Sequence, residues 1–312
     1  MVDLKGKDIL DGAQFTREEL ERVMDVAEDM RARLDKVKSL DLMHGYVMGA
    51  LFFEPSTRTR LSFETAMHRL GGSVVGFASA GVSSSAKGES LADTIRTVDQ
   101  YVDVIVMRHP RIGSARQAAA VATAPVLNGG DGAGQHPTQA LLDLFTIRSE
   151  RGHVDGNTIA LCGDLKNGRT VHAGVELYKH YDCKLIFVAP EPLRMPPQIT
   201  ARLRDHGVEI EETSDLEMAM GEADVIYMTR IQKERFEDPA EYGRLKGSYV
   251  LTRGMVERIN PGLTILHPLP RIDEISTDVD GLPGAAYFRQ ARNGITVRMA
   301  LIALVTGNQS RK

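Results

Sequence analysis

Residues 46–70 read YVMGALFFEPSTRTRLSFETAMHRL, an apolar run that meets Glu54-Pro55 and continues with a different period. Tyr46 to Phe53 is apolar throughout, which suits a strand covered on both faces rather than one that alternates. Pro55 restricts Glu54 to an extended conformation, and Ser56 is a residue type that caps helix starts. Leu61, Phe63, Ala66, Met67 and Leu70 then recur at helical spacing, and Gly71-Gly72 supplies the stop. A strand passing through a short polar turn into a helix is the repeating unit of α/β folds.

The alternation extends in both directions. Upstream, Thr16 and Glu19 form a capping-box pattern, and Leu20, Val23, Met24, Ala27, Met30 and Leu34 predict an amphipathic helix. Downstream, Ser73–Phe77, Val102–Met107 and Pro125–Leu127 read as strands in the first half. Thr158–Cys162, Lys184–Ala189, Asp224–Met228, Tyr249–Leu251 and Leu263–Leu266 do so in the second. A chain of 312 residues exceeds the roughly 250 to 300 at which single cores stop growing. The expected fold is therefore α/β, two doubly wound parallel-sheet domains in series with an active-site cleft between them. Residues 1–148 and 149–291 are the expected domains, the last helix, 292–312, packing back on the first. No Pro/Gly/Ser-rich linker divides them, and the helical pattern from Pro137 to Arg148 leads from one half into the other.

Charge and cysteine usage exclude several function classes. With 42 acidic and 38 basic residues the formal charge is -4, which gives no general attraction to nucleic acid or to an anionic membrane. Cys162 and Cys183 each lie in an apolar run without metal-ligand spacing, so neither a zinc site nor a disulfide framework is expected, and a reducing cytoplasm fits. No apolar signal segment opens the chain and no window approaches ~18 uninterrupted apolar residues, so neither export nor membrane spanning is expected.

Polar clusters fall just after the predicted strands. They are Glu54 to Arg60, Arg108-His-Pro110, Asn128 to Gln139, Gly163 to Arg169, Thr229 to Gln232 and His267 to Arg271. In open α/β sheets ligands bind outside the carboxyl ends of strands, so these clusters suit one crevice. Ser56, Thr57, Arg58, Thr59 and Arg60 occupy a helix's first turn, where free N–H groups, the dipole, hydroxyls and guanidiniums favour an oxyanion. The bland reading, an ordinary cap with solvated arginines, is weakened because arginines there oppose the dipole and need a compensating anion. Arg108 alone is unremarkable. His136 follows a glycine-rich turn and begins a helix with Thr138 and Gln139, where a neutral imidazole can donate to a carbonyl oxygen. Gly130 to Gly134 lacks the dinucleotide spacing, which argues against a nicotinamide cofactor. Arg169 and Arg230 suit a ligand with two carboxylates, although either alone reads equally well as a local ion pair.

Six strings together, Phe53–Arg60, Met107–Pro110, His136–Gln139, Gly163–His172, Tyr227–Gln232 and His267–Arg271, resemble the aspartate carbamoyltransferase catalytic-chain family, in order and over nearly the whole chain. The resemblance implies transfer of the carbamoyl group of carbamoyl phosphate to L-aspartate in de novo pyrimidine biosynthesis, without a metal or organic cofactor. It implies that Ser56, Thr57, Arg58 and Thr59 bind phosphate and that Thr59, Arg108 and His136 contact the carbamoyl oxygen, Arg58, Thr59, Arg108 and His136 forming the catalytic group. Gln139 and the carbonyls of Leu269 and Pro270 would hold the carbamoyl amine, and Lys87, Arg169, Arg230 and Gln232 would hold aspartate. Ser83 and Lys87 match a loop lent to a neighbouring subunit, implying a homotrimer with shared sites; a separate regulatory chain is left open. Asn167 and Ala173 depart from the family's pattern, where Tyr and Ser are common. An ornithine enzyme would be expected to carry cysteine in the slot of Pro268, and a non-catalytic anion-binding protein has no use for carbonyl-directed Arg108 and His136.

Overall fold

The computed structural model describes residues 2–79, 81, 88–232, 236 and 238–309, without the side chains of residues 239 and 241. The chain forms two compact units, Met1–Leu142 with Arg292–Lys312, and Asp143–Ala291.

The first unit runs α1 (Arg17–Leu34), β1 (Val47–Phe52), α2 (Thr57–Arg69), β2 (Ser73–Phe77), α3 (Leu91–Val98), β3 (Val104–His109), α4 (Ser114–Ala119), β4 (Val126–Asp131) and the start of α5 (Pro137–Arg151). Thr16 and Glu19 do form a reciprocal capping box at α1, and Leu20, Val23, Met24, Ala27 and Met30 are buried along one stripe. All the strand pairs are parallel, in the order β2-β1-β3-β4. Leu51, Ile105, Met107 and Val126 pack with Ile95 and Ala118 from the helices over one face. Each such fully buried side chain contributes about 1.5–3 kcal/mol, which is why the strands read as unbroken apolar runs.

The second unit runs β5 (Thr158–Cys162), α6 (Arg169–Tyr178), β6 (Lys184–Val188), α7 (Pro197–Asp205), β7 (Glu209–Thr213), α8 (Leu216–Glu222), β8 (Val225–Met228), α9 (Pro239–Leu245), α10 (Arg253–Ile259), β9 (Thr264–Leu266) and the start of α11 (Tyr287–Thr306). Its parallel order is β7-β6-β5-β8-β9. The expected strand at Tyr249–Leu251 is absent; Leu251 makes only an isolated bridge to Ile275. Strand β7, unexpected from sequence, occupies an edge instead. The rest of α11, from Arg292, belongs to the first unit, where Val297 and Met299 to Val305 are buried.

Each sheet has one place where the chain reverses its direction of growth. In the first sheet β1 leads outward to β2 on one side while β3 and β4 add on the other; in the second, β5 leads to β6 and β7, and β8 and β9 add across from it. The carboxyl ends of β1 and β3, and those of β5 and β8, thus flank the two switch points where such sheets bind ligands.

Candidate active site

Past β1 the chain enters α2 through Ser56, which is extended (φ -155, ψ 99) but makes no side-chain cap. No acidic residue occupies the first turn of α2. The first-turn amides therefore keep their donors directed outward, beside the exposed Thr57 and Arg58. Thr59 faces inward and is buried, 7% exposed.

The parallel register of β1 and β3 pairs Phe52 with Arg108, and Phe53 N–H donates to the Arg108 carbonyl at 2.8 Å. Glu54 consequently emerges beside the Arg108 side chain and pairs with its Nη2 at 2.5 Å. Arg108 Nη1 donates to the carbonyl of Gly129 at 3.2 Å, while its buried Nε has no partner. The pairing of β3 with β4 shifts between Met107 and His109, which brings Gly129 to this place. A Cβ on Gly129 would stand 3.2 Å from the Met107 carbonyl oxygen and 3.5 Å from the Thr59 methyl, so a side chain there would crowd both. His136, 4% exposed, ends the turn before α5, and its Nε2 lies 3.4 Å from Thr59 Oγ1. Its backbone carbonyl accepts from the N–H of Gln139 at 3.0 Å, which fixes Gln139 in the first turn of α5. Thr59 and His136, widely separated in sequence, are thus brought into contact, and Arg108 is bonded to Gly129, the residue that packs against Thr59. Glu54 is the residue here that sequence reasoning passed over; only the strand register discloses it. A cavity of about 480 Å³ opens beside the same strand ends, lined by Phe53, Ser90, His109 and Arg111 among others. Burial, then the Arg111 charge, holds the His109 imidazole below its ordinary range.

At the second switch point, Gly163 follows β5 with φ +123, and a Cβ there would approach the Thr229 carbonyl oxygen to 2.3 Å. Only glycine lets the ends of β5 and β8 close up in this way. Asp164 is fully buried and accepts from the Asn167 backbone and side chain at 3.0 and 3.1 Å. That turn starts α6 at Arg169. Gln232 Nε2 donates to the Asn167 carbonyl at 3.2 Å, linking the two strand-end loops. Arg230 lines a small cavity with Gly163, Thr229, Tyr242, Lys246, Asp273 and Glu274. Tyr242, Lys246 and Glu274 were not singled out from sequence, because no motif spacing marks them.

After β9, the loop from His267 to Arg271 carries Leu269 in the left-handed region (φ 56) before a cis bond to Pro270. A left-handed backbone costs a residue with a Cβ about 1–2 kcal/mol, so surrounding contacts hold Leu269 there. Ser83 and Lys87 lie outside the described residues. Among the described residues no group of three or more His, Cys, Asp or Glu could hold a metal ion, and no helix is long and apolar enough to cross a membrane. Both cysteines are free and buried, and burial pushes the Cys183 thiol up to about 12.

One α/β unit thus carries a helix start without a side-chain cap beside the buried Thr59 and His136 and the half-buried Arg108, and the other carries Arg169 and Arg230 past its strand ends. Residues 7–149 match the carbamoyl-P binding domain, and residues 155–305 the Asp/Orn binding domain, of aspartate/ornithine carbamoyltransferases, and the chain belongs to that family. Several of its relatives are named aspartate carbamoyltransferase catalytic subunits. The aspartate carbamoyltransferase catalytic subunit of Thermococcus onnurineus is 54% identical over 98% of this chain and 99% of its own. That of Methanopyrus kandleri is 51% identical over 98% and 99%. Among solved structures, the catalytic subunit of M. jannaschii aspartate transcarbamoylase superposes with a TM-score of 0.91 at 47% identity, covering 98% of this chain and 100% of that one. Aspartate transcarbamoylase from Trypanosoma cruzi in complex with carbamoyl phosphate and aspartate gives 0.92 at 46%, covering 97% of each.

Proposed function

We propose that this chain transfers the carbamoyl group of carbamoyl phosphate to the amino group of L-aspartate, giving N-carbamoyl-L-aspartate and phosphate. The observation that carries the reading is the contact of Thr59 with His136 at the start of α2, which has no side-chain cap, with Arg108 bonded to the adjoining Gly129. The reaction requires an uncharged amine to attack the carbamoyl carbon; the new C–N bond forms as the C–O bond to phosphorus breaks. Negative charge grows on the carbamoyl oxygen, and Thr59, Arg108 and His136 are the donors assigned to it. The α2 amides, Ser56, Thr57 and Arg58 take the phosphate as it gains charge, and the amine proton passes to that departing phosphate. Gln139 and the carbonyls of Leu269 and Pro270 hold the carbamoyl amine. Arg169, Arg230 and Gln232 hold the aspartate carboxylates, a bidentate task for which guanidinium is suited.

Aspartate is favoured over ornithine as the acceptor by Arg230 and Gln232 after β8 and by Pro268 in the slot where an ornithine enzyme would carry cysteine. The aspartate carbamoyltransferase name of the Thermococcus onnurineus relative and the aspartate bound in the Trypanosoma cruzi structure point the same way. The assembly is a homotrimer in the cytoplasm, in which Ser83 and Lys87 of one chain serve the neighbour's site.

The Trypanosoma cruzi relative has been solved in complex with N-(phosphonacetyl)-L-aspartic acid, which joins both substrate halves in one molecule. Titration calorimetry of this chain with that compound tests whether both sets of residues serve one reaction. Arg58→Ala and Arg230→Ala should each weaken it by about 10²-fold or more, the cost of cutting a charged hydrogen-bonded pair. Binding unaffected by Arg230→Ala would refute the acceptor half of the assignment.

A further inference from the structure

We propose that His267 and Glu274 form a positioning couple that sets the Leu269 and Pro270 carbonyls for the carbamoyl amine; the inference rests on the function proposed above. His267 follows β9 and is 1% exposed. Its Nδ1 accepts a hydrogen bond from Leu269 N–H at 2.8 Å, and its Nε2 lies 2.6 Å from Glu274 Oε1. A ring nitrogen that accepts carries no proton, so the imidazole is neutral and Nε2–H is the donor to Glu274. The other oxygen of Glu274 accepts from the N–H groups of Ile272 and Asp273, at 3.2 and 3.1 Å. One buried carboxylate thus ties down the histidine and the far end of the same loop.

The bond at Nδ1 falls on Leu269, the residue whose left-handed backbone needs holding. The base of the loop is anchored as firmly. His267 N–H donates to Gln290 Oε1 at 2.9 Å, Gln290 Nε2 donates to Asp143 Oδ1 at 2.6 Å, and Tyr227 OH donates to Asp143 Oδ2 at 2.8 Å. Asp143, Tyr227 and Gln290 are each 1% exposed, so water cannot replace these bonds. The loop offers the carbamoyl group two carbonyl acceptors, whose aim depends on the backbone torsions that the couple fixes. Glu274 also lines the Arg230 cavity, where its three N–H donors offset a charge that would otherwise repel a dicarboxylate.

His267→Asn and His267→Gln separate the two contacts. An Asn oxygen can accept from the N–H two residues on, as Nδ1 does, but offers Glu274 nothing; a Gln amide can donate to Glu274 but offers Leu269 no acceptor at that place. In each folded variant kcat should fall by about 10²-fold, the effect of misplacing a reacting group by ~1 Å. Carbamoyl phosphate should bind about tenfold more weakly, while inorganic phosphate, whose contacts lie at α2, and the KM for aspartate stay within about threefold. Equal weakening of carbamoyl phosphate and inorganic phosphate, or kcat within about twofold of wild type in both variants, overturns the proposal. Should both His267 variants fail to fold, Glu274→Gln, which keeps the shape of the cavity, decides it by the same split. A wild-type chain without turnover on carbamoyl phosphate and aspartate would instead overturn the function itself.

Discussion

Replacing Arg108 with Ala removes three things at once: a donor to the carbamoyl oxygen, the partner of Glu54, and a donor to the Gly129 carbonyl. The stability and activity costs differ in size and can be separated. Cutting one partner from a buried ion pair costs about 3–5 kcal/mol, but the Glu54 side chain is 27% exposed and relaxes toward water, which reduces this to about 1–2 kcal/mol. In a unit of this size each kcal/mol lowers Tm by about 2–4 °C, so calorimetry should show a loss of about 2–8 °C. Loss of one oxyanion donor lowers kcat by about 10²–10³-fold. Glu54→Ala combined with Arg108→Ala should recover much of the Tm, because no unpaired carboxylate remains, and none of the kcat. Initial rates at saturating substrates measure the second quantity. An Arg108→Ala enzyme within about tenfold of wild type, or a double variant whose activity returns with its Tm, would remove Arg108 from the set of oxyanion donors.

Two further outcomes follow from the geometry, and a third from the family's pattern of a loop shared between subunits. Tyr227→Phe withdraws a donor bound to the buried Asp143 and should destabilise the second unit by about 1–3 kcal/mol, read from urea unfolding. Glu274 is held below its ordinary 4.5: burial alone would raise it, but the hydrogen bond from His267 and those from the backbone N–H donors outweigh that. A depressed carboxylate stabilises the fold above its unfolded value, so Glu274→Gln should be less stable than wild type at pH 7, with the gap closing as pH falls below about 4.5. Mixing dissociated Lys87→Ala and Arg58→Ala chains, each inactive alone, should restore activity in hybrid trimers. No recovery despite hybrid formation and active wild-type controls would show that Lys87 does not serve a neighbour.

The buried parallel strands were legible because unbroken runs such as Val104 to Met107 can be covered only on both faces. Strand β7 was not. Its sequence, Glu-Ile-Glu-Glu-Thr, belongs to an edge that pairs only with β6, and its Glu211 finds Lys184 at 2.8 Å, a partner visible only once the sheet is assembled. Tyr249–Leu251 erred in the opposite direction: three apolar residues fit a strand, but Val250 is 37% exposed and, among the described residues, no neighbouring strand extends to them. The candidate site shows the same division. Strand-end clusters such as Ser56 to Arg60 are contiguous and could be read directly, whereas Glu54, paired across a register, and Glu274, paired with a histidine seven residues away, carry no local pattern. Sequence placed the boundary between halves at residue 148, and the compact units divide after Leu142; both positions fall within α5, whose continuous helical period carries no mark of where one core ends.

Colorimetric measurement of the ureido product with L-aspartate, L-ornithine or no acceptor decides whether carbamoyl phosphate is the donor and aspartate the acceptor. N-carbamoyl-L-aspartate should form at least about 10²-fold faster than the ornithine product, since the ornithine side chain brings an amine where Arg230 is proposed to bind a carboxylate. Turnover of ornithine equal to or faster than that of aspartate, or no product from either, would contradict that assignment.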